Sequence, residues 1–241
     1  SQFITGLIFA LLYLGGESSI QILPPLESRS YIHLTLSALQ SFGADVAFSD
    51  SYSIVIHKSP MHSFSGRIEG DYSNAAFLDA FNYIGSDIRI HNLKTDSLQG
   101  DKVYAEYFPQ IAAGTPTLDI SDCPDLGPVL IALAALKNGA VFTGTDRLQA
   151  KESDRGKAMH EELQKLGGGL IFGSNTITVP KQELRFSGEL LSGHNDHRIV
   201  MAMSLILSRI GGAIDDAQAV KKSYPGYFQD IHKLGAEVRT E

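Results

Sequence analysis

Cysteine is almost missing from this sequence: Cys123 is the only one in 241 residues. A single thiol builds neither a disulfide framework nor a zinc site with paired cysteine ligands. The shortage fits a reducing, cytoplasmic location. Basic charge is also in short supply, with 20 Lys and Arg against 27 Asp and Glu and a formal net charge of -7. Duplex binding needs a basic face that neutralises phosphates, so a nucleic-acid surface is not expected. A small phosphorylated ligand remains open, because a few cations focused in one cleft bind an anion inside an acidic protein. Disordered and low-complexity stretches are lacking too. Phe3 to Leu14 is mostly apolar but only 12 residues long, and the first basic residue, Arg29, comes after it. That is shorter than the ~20 residues of a membrane span and lacks the basic start of a signal peptide, so it reads as a buried helix. The length suits one large domain or two modest ones.

What is present is one design used repeatedly. Leu36 to Val46 is an amphipathic pattern stopped by Gly43 and followed by Ser53-Ile54-Val55-Ile56. Met159 to Gly168 repeats it, with Asn175-Thr176-Ile177-Thr178-Val179 after it, and Phe228 to Val238, stopped by Gly235, is a third copy. Each predicts a surface helix ended by glycine, two of them with a β pattern beyond. Before these lie helices apolar nearly all round: Phe3 to Leu14, Leu126 to Leu136 and Ile199 to Ile210, with Ala75 to Ile84 as a fourth. All-round apolarity marks a helix buried inside its domain. Short strands are expected at 19–22, Asp87-Ile88-Arg89-Ile90 and Ala140-Val141-Phe142.

The repeating unit is therefore a buried helix, a strand, a surface helix and, where complete, a strand pair. Four copies begin near residues 1, 70, 122 and 193. In the second copy Tyr104 to Phe108 runs into Pro109 and Gly114, with no strand pair expected. Lys58 to Gly66, with Pro60 and three serines, is the best linker. The expected domains are 1–62, a single unit that cannot bury both faces of its helix, and 63–241, three units with the second shortened.

The chemistry lies at the helix starts. Pro124-Asp125 opens one buried helix, His194-Asn195-Asp196-His197-Arg198 another, and Lys151-Glu152-Ser153-Asp154-Arg155 a surface helix. A helix N-terminus is partly positive, so Ser153, Asp154, Asn195 and Asp196 are ordinary caps there. Lys151, Arg155, His197 and Arg198 are not: cations belong there only with an anion between them, or paired with neighbouring Glu152, Asp154 and Asp196. Two such starts on repeated units point to the anion.

These residues resemble the EPSP synthase family. Lys151 to Arg155 is similar to its KESDR signature, preceded by Arg147-Leu148, and Asn195 to Arg198, followed by Met201-Ala202-Met203, to its NDHR segment. Lys222-Ser223-Tyr224-Pro225 and Pro124-Asp125 resemble two further family segments. Ser28 and Tyr31 fall where the family has Ser-x-x-Tyr, and Ser1-Gln2-Phe3 resembles the tail of its SSQF motif. The resemblance runs over the whole chain in the family's order.

The resemblance implies an α/β (α+β) fold of β-α-β-α-β-β units, the inside-out α/β prism of enolpyruvyl transferases with sheets around buried helices. It implies transfer of the enolpyruvyl group of phosphoenolpyruvate to the 5-hydroxyl of shikimate 3-phosphate, a step toward chorismate and the aromatic amino acids, with neither metal nor organic cofactor. On the family pattern Asp125 is the base, Lys151 lies close by, and Glu152 shuttles a proton to the vinyl methylene. Gln2, Arg155, His197, Arg198 and Lys222 would hold phosphoenolpyruvate. Ser1, Gln2, Ser28, Tyr31, Asp125, Arg147 and Lys151 would hold shikimate 3-phosphate. The family's N-terminal Lys, Ser and Arg lie upstream of Ser1 in its order, so this chain alone is expected to be inactive, and monomeric when full length. Two other readings stand beside this one. A UDP-N-acetylglucosamine enolpyruvyl transferase shares the repeats but carries a reactive cysteine in a Gly-rich loop, unlike Cys123 beside Pro124. A non-catalytic ligand-binding fragment is the third.

Overall fold

A computed structural model describes residues 2–14, 16–26 and 28–239, so Ser1 lies outside the described residues. Contacts divide the chain into two compact units, Ser1–Glu69 with Lys94–Gly100, and Gly70–Leu93 with Asp101–Glu241. A break after residue 62, as expected above, would fall inside the first of these.

The first unit contains α1 (Gln2–Tyr13), β1 (Ser18–Gln21), α2 (Arg29–Ser41), β2 (Asp45–Phe48) and β3 (Ser53–His57). Its sheet has the order β1-β3-β2 and is antiparallel, with Ser18 opposite Ile56 and Asp45 opposite His57. Period-2 alternation sends Ile54 and Ile56 to one face of β3, where Ile20 and Val46 join them. Ile32, Leu36 and Leu39 of α2 and Ile8 of α1 complete that core. Residues 58–71 have no regular structure but are tied down at their start. Ser59 Oγ accepts from Asp45 N at 2.9 Å, His62 N donates to Phe42 O at 2.9 Å, and Phe64 meets the Phe42 ring edge-on.

The second unit contains α3 (Tyr72–Asp79), α4 (Tyr104–Ala113), β4 (Thr117–Asp119), α5 (Gly127–Leu136), β5 (Ala140–Thr143), α6 (Arg155–Lys165), β6 (Ile171–Gly173), β7 (Thr176–Val179), α7 (His197–Ile210) and α8 (Tyr227–Lys233). Its sheet has the order β4-β5-β7-β6, with β4 parallel to β5 and the other pairs antiparallel. Every residue of α5 from Gly127 to Ala135 is buried, as is α7 from His197 to Ile206. The two pack together at the centre, as their all-round apolarity demands.

The glycine stops recur as one device. After α2, α6 and α8 the chain turns at Gly43, Gly167 and Gly235, with φ of 88°, 82° and 103°. In each the residue after the glycine reaches five residues back, Ala44 N to Leu39 O, Gly168 N to Leu163 O and Ala236 N to Ile231 O, satisfying a carbonyl the helix leaves open.

Some elements differ from expectation. No strand forms at Asp87–Ile90, because the Asn82 side chain takes both ladder groups of Ile88, at 2.6 and 2.8 Å. The helix expected over Ala75 to Ile84 starts earlier and ends at Asp79, with a separate 3-10 turn at Asn82–Ile84. Helix α4 runs through Pro109 to Ala113, and a strand the sequence reading missed, β4, follows it. Helix α1 forms as expected, yet among its residues only Ile8 is fully buried. No helix among the described residues is long and apolar enough to cross a membrane.

Candidate functional site

In the second unit the starts of α6 and α7 and the 3-10 turn Pro124–Leu126 ahead of α5 meet around one guanidinium. The caps are those the residue types dictate: Asp154 accepts from Lys157 N at 3.1 Å and Asp196 from Arg198 N at 2.9 Å. Each cap leaves the following arginine, Arg155 or Arg198, on the first turn of its helix.

Arg155 is 1% exposed and gives all three nitrogens to carboxylates. Its Nε donates to Asp196 Oδ2 at 2.9 Å, Nη1 to Asp125 Oδ1 at 2.7 Å and Nη2 to Glu152 Oε2 at 2.6 Å. Ser153 Oγ adds a bond to Asp196 Oδ2 at 3.0 Å. Asp125 is shared further, with Lys151 Nζ at 3.0 Å and Arg198 Nη2 at 3.3 Å. Burial by itself would raise the Asp125 carboxyl, but Arg198, Lys151 and Arg155 hold it well below the usual carboxylate range. Asp196 is likewise held down against its burial, by Arg155, Arg198 N and Ser153.

Arg198 is 7% exposed. Its Nη1 donates to Ser73 Oγ and to Asp125 O, the latter at 3.2 Å, while Nε is buried with no hydrogen-bond partner among the described residues. His197 Nδ1 is similarly buried without one, 3.7 Å from Asp196 Oδ1. Burial, then the Arg198 charge, lowers the His197 ring below the ordinary imidazole value. Lys222, exposed at the end of the turn Ala217–Lys222, donates from Nζ to Asn195 O. Asn74 Nδ2 donates to the neighbouring Ser223 O at 3.3 Å.

The loop into α7 is pinned from α6. Glu162, 1% exposed, accepts from Lys165 Nζ at 2.8 Å and Ser192 N at 2.8 Å, and pairs with His194 Nε2 at 2.7 Å. Arg155 and Glu162 sit seven residues apart, so one face of α6 holds both the α7 cap and the loop that leads to it.

The structure thus brings Asp125, Lys151, Glu152, Arg155 and Arg198 together, with His197 and Lys222 attached through Asp196 and Asn195. Arg147 is half-buried on the turn Asp146–Ala150. In the first unit Gln2 is exposed at the start of α1, and Tyr31 is half-buried in the first turn of α2. Ser28, at φ 53° just before α2, is 1% exposed, and its Oγ has no hydrogen-bond partner among the described residues.

Two participants were missed by sequence reasoning, Ser73 and Asp101. Asp71-Tyr72-Ser73 opens α3 as Asp196-His197-Arg198 opens α7, with Asp71 accepting from Ser73 N at 2.8 Å and Asp196 from Arg198 N at 2.9 Å, so the repeat itself carried the signal for Ser73. Asp101 follows Gly100 in a 3-10 turn before α4 and has no such mark. Cys123 is buried, and burial followed by the surrounding Asp101, Asp122, Asp119 and Asp125 charges pushes its thiol well above its ordinary value. A reactive thiolate needs the opposite surroundings.

The family model described as EPSP synthase (3-phosphoshikimate 1-carboxyvinyltransferase) matches residues 1–231. The 3-phosphoshikimate 1-carboxyvinyltransferase of Clostridium kluyveri is 37% identical, covering 99% of this chain and 60% of that protein. That of Clostridium novyi is 35% identical, over 98% of this chain and 58% of its own length. Among solved structures, EPSP synthase from Acinetobacter baumannii superposes with a TM-score of 0.79 at 21% identity, over 97% of this chain and 60% of that one. The enolpyruvyl transferase NikO from Streptomyces tendae gives 0.67 at 15% identity, over 98% and 60%. The fold is therefore that of the enolpyruvyl transferases. The chain spans about three fifths of the length of the curated relatives it matches.

Proposed function

Since the chain belongs to the EPSP synthase family, we propose that it carries part of a site moving the enolpyruvyl group of phosphoenolpyruvate to the 5-hydroxyl of shikimate 3-phosphate, with release of phosphate. The observation that carries this reading is the convergence of Arg155, Lys151 and Arg198 on Asp125, with Arg198 Nε left over as a buried donor. A carboxylate or phosphate supplies the acceptor that such a donor lacks, and a guanidinium fork suits either one.

The roles follow from what each side chain already touches. Asp125, held ionised by three cations, is suited to accept from a substrate hydroxyl and take its proton, with Lys151 beside it. Glu152, whose side chain is 40% exposed, is the carboxyl of the cluster that can move. An anion taking Arg155 Nη2 must displace Glu152, which frees that carboxyl to turn toward the vinyl carbon it protonates. Arg198, Lys222 and His197 would complete the hold on phosphoenolpyruvate. The parts given to Arg147 and, in the first unit, to Gln2, Ser28 and Tyr31 rest on their motif positions, and the buried Ser28 hydroxyl, without a hydrogen-bond partner among the described residues, supports one of them.

The burial of Cys123 and its raised thiol pKa weigh against the alternative of a UDP-N-acetylglucosamine enolpyruvyl transferase. The test is calorimetric titration with phosphoenolpyruvate and shikimate 3-phosphate, with a phosphate-release assay. It uses this chain and a chimera in which a clostridial relative supplies the length this chain does not span. Lys151→Ala and Arg198→Ala should each cut turnover by the chimera at least about tenfold, the usual cost of a lost charge-assisted contact. Turnover within about threefold of the parent in both variants would sink the site assignment. A chimera that ignores both substrates would leave a ligand-binding role for some other anion.

A further inference from the structure

The segment that delivers the α7 cap makes a turn of an uncommon kind. His194 and Asn195 both lie in the left-handed region, at φ 50° and 49°. That region crowds the Cβ of an L residue, and non-glycine residues normally enter it singly rather than in pairs. Gly193, just before them, packs too closely to carry a side chain: a Cβ there would come within 2.5 Å of Val200 and 2.8 Å of Asp215 O.

Glu162 on α6 grips the same segment twice. Its Oε2 accepts from Ser192 N at 2.8 Å, and its Oε1 pairs with His194 Nε2 at 2.7 Å. Lys165 Nζ bonds both oxygens, at 3.0 and 2.8 Å, so the carboxylate is itself fixed. At 1% exposure it makes these bonds away from bulk water, where they are strongest. Beyond the turn the segment meets two cations of the candidate site. Asn195 O accepts from Lys222 Nζ, and Asp196 Oδ2 accepts from Arg155 Nε at 2.9 Å.

We propose that Glu162 is a positioning residue for the anion site: through Ser192 and His194 it keeps residues 194 and 195 left-handed, so that Asn195 O faces Lys222 and Asp196 faces Arg155. The identity of the anion rests on the functional reading above, and the geometry on the second unit alone. Three features support it. Among the described residues, the Glu162 side chain bonds Lys165, Ser192 and His194, so its influence on Lys222 and Arg155 runs through the segment. Its bond to His194 comes from the side chain of a residue whose backbone is strained, and offsets that strain where it arises. Asn195 N donates to Asp216 Oδ2 at 3.2 Å, which secures the far end of the turn and leaves residue 194 to the hold from α6.

The experiment uses this chain and separates backbone from side chain at position 194. Glycine takes the left-handed region freely, whereas alanine keeps the Cβ penalty without the imidazole that offsets it. His194→Ala should weaken phosphoenolpyruvate binding, read by calorimetry, about tenfold, while His194→Gly should stay within about threefold of the parent. Glu162→Ala should also lose about tenfold, and adding His194→Gly to it should recover most of that loss. Equal losses in His194→Ala and His194→Gly would mean that the imidazole acts on the site by itself, which overturns the proposal. Glu162→Ala within about twofold of the parent, or a loss that His194→Gly leaves in place, overturns it too.

NMR supplies a readout that needs no ligand. The NOE between an amide proton and its own α proton is strong at positive φ. Residues 194 and 195 should show it in the parent, and residue 194 should lose it in Glu162→Ala and His194→Ala. Its persistence in both variants counts against any hold by Glu162 and sinks the idea. Should Glu162→Ala fail to fold, the two His194 variants decide. If the parent itself binds no phosphoenolpyruvate, the functional reading falls, and the NOE alone decides whether Glu162 holds the turn.

Discussion

Helices α1 and α5 have nearly the same kind of sequence, apolar on every side, and very different surroundings. In the second unit α5 touches α4, α6, α7 and β7, and every residue from Gly127 to Ala135 is buried. In the first, α1 has α2 and β3 as neighbours; Phe3 is 90% and Tyr13 91% exposed, and Leu7 and Phe9 are about half exposed. The difference teaches that all-round apolarity states what a helix needs rather than what it has. One layer of neighbours buries one stripe, and four directions of contact are required to bury the rest.

The largest effect that could break this comparison lies in the second unit's ion cluster. Arg155→Ala should leave Asp125, Glu152 and Asp196 without their shared partner and cost roughly 3–5 kcal/mol, read as a lower urea midpoint for that unit. A loss under about 1 kcal/mol would mean that the carboxylates find other partners and that the cluster does not organise the core. Next comes packing. Leu133→Ala in α5, at 0% exposure, should cost about 2–5 kcal/mol, while Leu7→Ala in α1, at 51%, should stay within about 0.5 kcal/mol. Equal costs would show that α1 is buried in solution.

The smallest effect is one of pH. Asp101 is raised to about 6 from an ordinary 3.8, so the folded state binds its proton more tightly than the unfolded chain. Its contribution to stability falls as pH rises from about 4 to about 6 and is flat above that. Asp125 and Asp196 act in the opposite sense and in a lower window, because their folded values are depressed: their contribution is lost as pH falls below about 4. Asp101→Asn should therefore flatten the stability profile between pH 4 and 6 and leave the acid limb unchanged. An unchanged slope between pH 4 and 6 would place the titrating group elsewhere.

The legible parts of this molecule are those decided within one turn of chain. Asp154 and Asp196 could be read as caps because a cap bonds its own helix, and Gly43, Gly167 and Gly235 as stops because only the local φ matters. The charged helix starts could be read as one site because the repeats announced that they were equivalent. The missed parts depend on partners far along the chain. Strand β4 exists through pairing with β5, some twenty residues on, and Asp87–Ile90 fails as a strand because a side chain reached Ile88 first. The link from Ser73 to Arg198 joins residues 125 positions apart, and no local pattern encodes it. For Arg155 the sequence offered either an anion or pairing with Glu152, Asp154 and Asp196; the structure pairs it with Glu152 and Asp196, and its third partner, Asp125, follows only from the packing of α6 against the turn before α5.

Helix α6 also works as a ruler. Arg155 at its first position grips the cap of α7, and Glu162, two turns later on the same face, grips the loop that delivers that cap. Adding or deleting one residue between them would turn Glu162 by about 100° and move its carboxylate off Ser192 and His194. The stretch can therefore drift in side-chain identity at its exposed positions, Lys157 among them, but not in length. In lineages of this chain, gaps and insertions should accumulate in the loops around α6 while the count from Arg155 to Glu162 is inherited unchanged.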